Sequence, residues 1–513
     1  MGTPREIELK LDCTGPDLAA LGAHPLLQGP APEPKLLTAT YFDTADGTLR
    51  GAGLTLRVRR TGDGFVQTVK AGAGAAGLFD RAEWERAVAG EAPEPEALAG
   101  TPVADLLAEA GAPALVAQFR TVVMRSVRPV TQGESRIAAT LDEGRVETEG
   151  GDAPLCELEL ELESGSAADL FALAQALAET VPLRLGVLSK SARGFALRDG
   201  WGLHPSKAGA VALPEAATGG EAFRLIALAC LRHLRLNEDV WRATRDPEAL
   251  HQMRVALRRL RTAFSLFKPM LAVDARAGAL SDEIRRATEP FGRARNLDVF
   301  LETTLPAELA RRPDEPGLPA LRARLEAGRD RAHDAVGAVL EAPEWRGLLL
   351  DLAAWIETGP WREGASKLRD APARDVATAV LERLRRRIAK RGRRIDRLDP
   401  EARHHVRIAG KKLRYGAEFF AGLYPGRKAR RRHKAFGAAL SDLQDHLGSL
   451  NDLATAHAVM AGLADGAGSD ALDGPALFAA GLAAADSEAQ ADALLAKAAE
   501  AHGALTDVKP FWR

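Results

Sequence analysis

Glu157-Leu158-Glu159-Leu160-Glu161-Leu162-Glu163 decides how the amino-terminal part of this chain must be read, and Glu6-Ile7-Glu8-Leu9-Lys10 has the same pattern near its start. Strict alternation of charged and apolar residues has a period of two. Both stretches are therefore expected to be β-strands, with the charges on one face and the aliphatics on the other. Like charges stacked along one face cost stability unless a cation lies between them. Basic strands lie between the two acidic ones: Arg57 and Arg59 share a strand face, Lys70 ends the next strand, Arg125 sits on a later one, and Lys190 follows a predicted helix. Any one Arg on a strand is most simply a solvated charge. An open sheet would not gather the Glu and Arg rows on one side, whereas a closed barrel turns them all inward. An interior holding both signs needs a charged guest. A divalent cation carrying a polyphosphate fits, with hard oxygen ligands for the metal and cations for the phosphates.

The chain has 513 residues, enough for two or three domains with full cores. Its formal charge is −1, unevenly distributed: residues 1–203 hold 19 Lys/Arg against 29 Asp/Glu, and residues 204–513 hold 50 against 41. An acidic first part and a basic second part predict separate domains, the second with an anionic partner. Three scattered cysteines, Cys13, Cys156 and Cys230, offer neither a disulfide framework nor a zinc site, which fits a reducing cytoplasm. No apolar leader or membrane-length apolar run is visible, so the expectation is a cytoplasmic protein with no membrane partner.

Residues 1–203 read as mostly β, with two helices near 102–111 and 166–180. Asp63-Gly64 and Asp142-Glu143-Gly144 look like hairpin turns. Residues 204–219, rich in Ala, Pro and Gly, read as a linker, and 220–513 as long Ala/Leu/Arg helices. The helical part repeats itself. His251-x-x-Arg254-x-x-x-Arg258-Arg259-Leu260-Arg261 returns 153 residues later as His404-x-x-Arg407-x-x-x-Lys411-Lys412-Leu413-Arg414, and Phe267 falls on Phe420. Two copies predict two helical bundles related by a pseudo-twofold axis.

At 100° per residue, His251, Arg254, Arg258 and Arg261 fall within an arc of about 80°, opposite Met253, Leu257, Leu260, Phe264 and Phe267. His404, Arg407, Lys411 and Arg414 repeat the face. A solvated basic face is the plain alternative, but here charge and register recur without nearby acids. Few aromatics are interleaved, which argues against single-stranded nucleic acid and for a repeating anion without bases. Gly72-x-Gly74-x-x-Gly77 matches a dinucleotide fingerprint, yet Leu78–Val88 behind it reads as a strand, so a hairpin loop is expected.

Glu6-x-Glu8-x-Lys10 resembles the ExExK signature of the CYTH superfamily, the triphosphate tunnel metalloenzymes. Tyr41-Phe42-Asp43-Thr44, Leu56-Arg57-Val58-Arg59, Thr68-Val69-Lys70, Leu141-Asp142, Glu157–Glu161 and Leu188-Ser189-Lys190-x-x-Arg193-Gly194 follow in family order. The resemblance spans roughly residues 3–200. It implies an eight-stranded antiparallel barrel with metal and triphosphate inside. By the same resemblance Glu6, Glu8, Glu157, Glu159 and Glu161 would hold the metal. Lys10, Arg57, Arg59, Lys70, Arg125, Arg184 and Lys190 would hold phosphates, with Glu6, Glu8 and Lys10 at the catalytic centre. Glu83 and Glu163 are expected near the rim. Residues of about 220–500 resemble the CHAD domain, whose resemblance implies binding of inorganic polyphosphate by His251, Arg254, Arg258, Arg261, His404, Arg407, Lys411, Lys412 and Arg414.

The combined expectation is an α+β multidomain protein: a barrel over 1–203, a linker over 204–219 and an all-α domain over 220–513. It would be a Mg²⁺- or Mn²⁺-dependent hydrolase of inorganic triphosphate, in the cytoplasm and in reach of polyphosphate granules. Thiamine triphosphate hydrolysis or adenylate cyclisation would need a surface for an organic group, for which only Tyr41, Phe42 and Trp84 stand near the tunnel. A non-catalytic polyphosphate-binding protein is the alternative outside enzymes.

Overall fold

The structure is a computed structural model that describes residues 5–62, 64–72, 76–111, 113–200, 204–464 and 474–513, with backbone alone at 456–464 and 483–490. Eight strands form the first part: β1 (Arg5–Asp12), β2 (Lys35–Thr44), β3 (Leu54–Thr61), β4 (Gly64–Ala71), β5 (Leu78–Val88), β6 (Leu115–Gln132), β7 (Ser135–Thr148) and β8 (Gly151–Ser164). They run antiparallel in the order β5-β4-β3-β2-β6-β7-β8-β1, and a β1–β5 pairing closes the ring. A two-residue strand, β9 (Arg184–Leu185), pairs with the end of β1.

The barrel is inverted relative to an ordinary core. Leu9, Leu11, Leu158 and Leu160 point outward and are fully buried, beneath the Ala167–Ala178 helix and its Leu170, Leu173 and Leu177. On the β3–β4 side, Leu54, Leu56 and Val69 are covered by Leu98 and Val103 of two short helices. Aliphatics on the outside leave the inside to the charged half of each alternation. One end of the interior is apolar: Ala39, Tyr41, Phe119, Val123, Val146 and Leu155 close around Phe195 of the Lys190–Arg198 helix. Tyr41 stacks on Phe119 at 4.7 Å and Phe195 meets Phe119 edge-on at 5.1 Å. Gly194 makes this possible, because a Cβ there would overlap the Phe119 ring.

The expected turn at Asp142-Glu143-Gly144 is not formed. β7 runs unbroken through it, and the turns lie at its ends, at Gly133 (φ 60°) and around Gly151. Gly144 is instead a point of close approach, where a Cβ would run into the backbone of Val122. β3 and β4 pair as a hairpin whose Asp63 lies outside the described residues, as does Gly74 of the glycine-rich loop; β5 follows that loop as a strand.

The chain separates into two compact units. The first takes residues up to Ser206 together with Arg235–Thr244 and Ala342–Gly359; the second takes Lys207–Leu234, Arg245–Glu341 and Pro360–Arg513. In the first unit, Arg235 donates to the carbonyl of Leu185 on β9 (3.0 Å) and Gln175 to Asp351 (2.7 Å).

In the second unit the repeated sequences are the helices Pro247–Leu266 and Pro400–Phe420. Met253, Leu257, Leu260, Phe264 and Phe267 are all buried. The two copies meet through equivalent residues. Phe267 packs edge-on against Phe420 at 5.9 Å, Arg259 pairs with Glu418, and Lys412 donates to Ser265 at 2.8 Å. Shifted by 153 residues, Arg259–Glu418 becomes Lys412–Ser265, so each contact is the mate of the other. Self-complementary pairing of this kind is what an approximate twofold between the copies produces. Among the described residues, no helix is long and apolar enough to cross a membrane.

Candidate functional site

Inside the barrel lies a cavity of about 170 Å³, walled by Glu6, Glu8, Lys10, Tyr41, Thr55, Arg57, Arg59, Lys70, Arg81, Glu83, Glu85, Arg125, Glu159, Glu161, Ser189, Lys190 and Ser191. Strand register sets this lining. Glu8 sits opposite Glu161, Lys10 opposite Glu159 and Asp12 opposite Glu157 across β1–β8. Arg125 sits opposite Asp142, Lys70 opposite Glu83, Arg57 opposite Tyr41, and Glu6 opposite Arg81. Directly opposed residues share a face, so each acid–base pair is made by the sheet before any side chain adjusts. The Lys190–Arg198 helix brings the rest. Ser189 caps it by accepting from the amide of Ala192 (3.1 Å), which leaves Lys190 and Ser191 reaching inward, and Thr55 donates to Ser191 (3.2 Å).

Two carboxylate groups can be distinguished. The deeper one is Asp142, Glu157 and Glu159, each offering an oxygen within 4.8 Å of the others. Lys190 lies among them, 2.7 Å from Asp142 and 2.9 Å from Glu159, and it also pairs with Glu157. Lys10 pairs with Glu159 and lies 3.6 Å from Glu157; Arg125 reaches Glu159 at 2.9 Å and also pairs with Asp142. Burial pushes the Glu157 carboxyl up, but Lys190, Lys10 and Arg193 outweigh it and hold the group well below the usual range. Burial also drives Lys10 down, against the pull of Glu8 and Glu157.

The outer group is Glu6, Glu8 and Glu161. Glu6 binds Lys70 (2.6 Å) and Arg81 (3.0 Å); Glu8 pairs with Arg81 and lies 3.4 Å from Lys10. Burial raises Glu6, and Lys70 and Arg81 reverse this, bringing it down to about 2. Glu161 differs. Among the described residues it is the one lining carboxylate without an ion-pair partner, and burial followed by the like charges of Glu6 and Glu8 pushes it up. Lys70, also beside Glu83 at 3.1 Å, is lowered to about 8 by burial and by Arg57 and Arg81.

Of the residues singled out from the sequence, Glu6, Glu8, Lys10, Arg57, Arg59, Lys70, Arg125, Glu159, Glu161 and Lys190 wall one cavity. Glu157 is buried one layer behind it, and Arg184, opposite Asp12 on β9, is absent from the lining. Glu83 does line the cavity, while Glu163 is exposed. The sequence reading did not single out Arg81, Glu85, Thr55 and Ser191, and it quoted Asp142 and Ser189 as motif residues without a role. Arg81 carried a usable signal: Phe79, Arg81, Glu83 and Glu85 alternate inward along β5 as Glu6 and Glu8 do along β1.

The donors present suit a divalent metal. They are hard carboxylate oxygens, and those of Glu6, Glu8, Glu159 and Glu161 stand on the wall of one cavity. The aromatic candidates are placed otherwise: Tyr41 lines the cavity with its ring stacked on Phe119, whereas Phe42 and Trp84 pack outside the barrel against the Leu56–Val69 cluster.

In the helical unit the two basic faces share one electrostatic environment. Lys411 is lowered to about 7, by burial and then by Arg407, Arg258 and Arg414, so cations of both copies act on it. His251 is lowered to about 4, by burial, Arg295 and the neighbouring Arg258 and Arg254. Arg254 donates to the carbonyls of Phe291 (2.8 Å) and Gly292 (2.7 Å). Arg258, Arg261, Lys411 and Lys412 line a cavity of about 670 Å³ with Lys268 and Tyr415. His404 is exposed, and Arg414 lies 3.7 Å from Glu418 and over the Tyr415 ring. Arg295 and Lys268 were not singled out in advance.

Family models of the CYTH domain and the CHAD domain match residues 4–195 and 225–461. The CHAD domain from the plant Ricinus communis is 33% identical, with a TM-score of 0.52 over 60% of this chain and 98% of its own. A Hippeastrum protein, described as an adenylyl cyclase with a dominant triphosphatase activity, is 21% identical, with a TM-score of 0.30 over 38% of this chain and 96% of its own. PptA from Streptomyces chartreusis is 19% identical, with a TM-score of 0.41 over 56% of this chain and 99% of its own. The chain belongs to the CYTH–CHAD proteins, with a CYTH barrel followed by a CHAD helical domain.

Proposed function

We propose that the barrel hydrolyses inorganic triphosphate to pyrophosphate and phosphate with a divalent metal, Mg²⁺ or Mn²⁺, and that the helical unit binds inorganic polyphosphate. The observation that carries the first half is the cavity's composition. Seven cations (Lys10, Arg57, Arg59, Lys70, Arg81, Arg125, Lys190) and six carboxylates (Glu6, Glu8, Glu83, Glu85, Glu159, Glu161) face about 170 Å³ of space. That volume equals about six water molecules, room for a short anion. Among the described lining residues the one aromatic is Tyr41, which already stacks on Phe119, and this favours an inorganic guest over thiamine triphosphate or ATP.

Each residue then has a task. Arg57, Arg59, Lys70 and Arg125 bind and orient phosphate oxygens, and Lys10 and Lys190 neutralise charge at the deep end. Glu157, one layer behind, positions those two lysines. Glu6, Glu8, Glu159 and Glu161 would hold the metal, which supplies further neutralisation of phosphate charge when bound. Glu161, without an ion-pair partner among the described residues, would hold the metal without first giving up a counter-cation. Phosphoryl transfer asks for this kind of positioning and electrostatic support more than for a covalent step. The apolar plug of Tyr41, Phe119 and Phe195 excludes water from the far end.

For the helical unit, the support is that burial and Arg258 of the first copy lower Arg407 and Lys411 of the second, against the opposing pull of Asp452. Arg258, Arg407 and Lys411 make no ion pair among the described residues. A polyanion laid across them would relieve that repulsion. The test of the first half is phosphate release from tripolyphosphate with Mg²⁺ by the full chain, beside Glu8→Gln and Glu161→Gln. Both substitutions keep volume and remove a ligand charge, so turnover should fall by at least about a hundredfold, the scale of losing one preorganised charge in a site. Turnover near wild type in both variants refutes the assignment.

A further inference from the structure

We infer that Arg81 competes for the place of the divalent cation and keeps the outer carboxylates from binding metal until phosphate draws it away. The inference rests on the proposed metal-dependent reading of the same site. Arg81 stands opposite Glu6 in the β1–β5 register, donates from Nε to Glu6 Oε2 at 3.0 Å, and pairs through Nη2 with Glu8. One guanidinium therefore spans both carboxylates of the first acidic strand. Its stem is pinned, because the guanidinium carbon lies 5.3 Å from the centre of the Phe79 ring and the side chain is largely buried. Lys70 holds the other side of Glu6 and also Glu83, and Lys10 lies behind Glu8. Of the carboxylates that line the cavity, only Glu161 has no counter-cation among the described residues.

A divalent ion arriving alone would have to displace a bidentate, buried guanidinium, which is among the stronger charge-assisted contacts in a protein. Phosphate changes the balance. Arg81 lines the same cavity as Arg57, Lys70 and Arg125, so a polyanion there offers its guanidinium new acceptors and frees Glu6 and Glu8 for the metal. Metal and phosphate binding then favour each other, and the differential contact that couples them is named: Arg81 to carboxylate in one state, Arg81 to phosphate in the other. Arg81 is accordingly a positioning and selectivity residue, not a member of the reacting set.

The experiment is titration of the full chain with Mn²⁺ alone, following free Mn²⁺ by electron paramagnetic resonance, with no phosphate and no turnover. Wild type should bind Mn²⁺ weakly. Arg81→Met, which keeps the stem over Phe79 and removes the charge, should bind about ten- to a hundredfold more tightly, the scale of one lost charge-assisted competitor. Arg81→Lys, which keeps a cation, should stay near wild type. Arg81→Gln serves as the second neutral variant if Arg81→Met does not fold, with folding judged by circular dichroism. Unchanged Mn²⁺ affinity in a folded neutral variant, or equal tightening by Arg81→Lys, overturns the inference. Because the readout is metal binding, tighter Mn²⁺ binding with no hydrolysis of tripolyphosphate by wild type would sustain the inference and defeat the proposed reaction instead.

Discussion

Replacing Lys190 by Met tests the electrostatic frame of the barrel most sharply. Lys190 is buried, and its ammonium lies 2.7 Å from Asp142, 2.9 Å from Glu159 and against Glu157, with Asp142 and Glu157 almost without solvent contact. Removing one partner of a buried ionic cluster leaves uncompensated charge and costs about 3–5 kcal/mol. For a domain of this size each kcal/mol moves the midpoint by about 2–4 °C, so the barrel transition should fall by about 6–20 °C. The pH dependence distinguishes this cause from a lost packing contact. Burial raises Asp142 and Glu157, but Lys190 and the neighbouring cations win and depress both. A depressed carboxylate contributes stability above its unfolded value, near pH 4, and loses it as pH falls through the lower folded value. Without Lys190 that contribution is missing at pH 7, and the variant recovers by taking up a proton as pH drops. The deficit should therefore be largest near neutral pH, narrow as pH falls toward about 4, and close only as pH passes through the depressed folded values. Glu157→Gln added to Lys190→Met should restore part of the loss, because one orphaned charge is gone. Scanning calorimetry of the full chain across pH 3.5–8 is the assay. A variant as stable as wild type at pH 7, or a deficit equal at both ends of the range, refutes the reasoning.

Lys70, brought to about 8 by burial and by Arg57 and Arg81, must be protonated to bind phosphate. Capture of tripolyphosphate, read as kcat/KM, should hold below pH 8 and decline above it, and Lys70→Arg should flatten that decline; matching alkaline limbs would contradict it. Lys411, brought to about 7 by burial and by Arg407, Arg258 and Arg414, predicts that polyphosphate affinity of the full chain falls as pH rises through 7. Lys411→Arg should abolish that fall, and affinity should drop with salt, as expected of counterion release from a polyanion. Affinity independent of both pH and salt would remove the basic face from the account.

Much of the barrel was legible because its signal is local. A period of two in Glu6–Lys10 and Glu157–Glu163 places charges on one face whatever the partner strand, and only closure puts those faces together. Gly144 was misread because a glycine two residues after Asp142 carries the same signature for a turn as for a close approach between strands, and only the neighbouring strand distinguishes the two. Arg81 was missed because its importance is a matter of register: it faces Glu6 across a pairing between residues that are far apart in sequence. Likewise Arg235–Thr244 and Ala342–Gly359 join the first compact unit through tertiary packing, such as Arg235 on Leu185, which their helical patterning does not report. The repeat of His251–Arg261 in His404–Arg414 was plain. That Arg259–Glu418 and Lys412–Ser265 are one contact seen twice needed the coordinates.

The most direct test of the central claim is a substrate panel on the purified full chain. Tripolyphosphate, ATP and thiamine triphosphate are each incubated with Mg²⁺, with Mn²⁺ and with a chelator, and products are followed by phosphorus NMR. The account predicts pyrophosphate and phosphate from tripolyphosphate, dependent on metal, and little reaction with either organic triphosphate. Preferred turnover of ATP or thiamine triphosphate, or conversion of tripolyphosphate unaffected by the chelator, would contradict it.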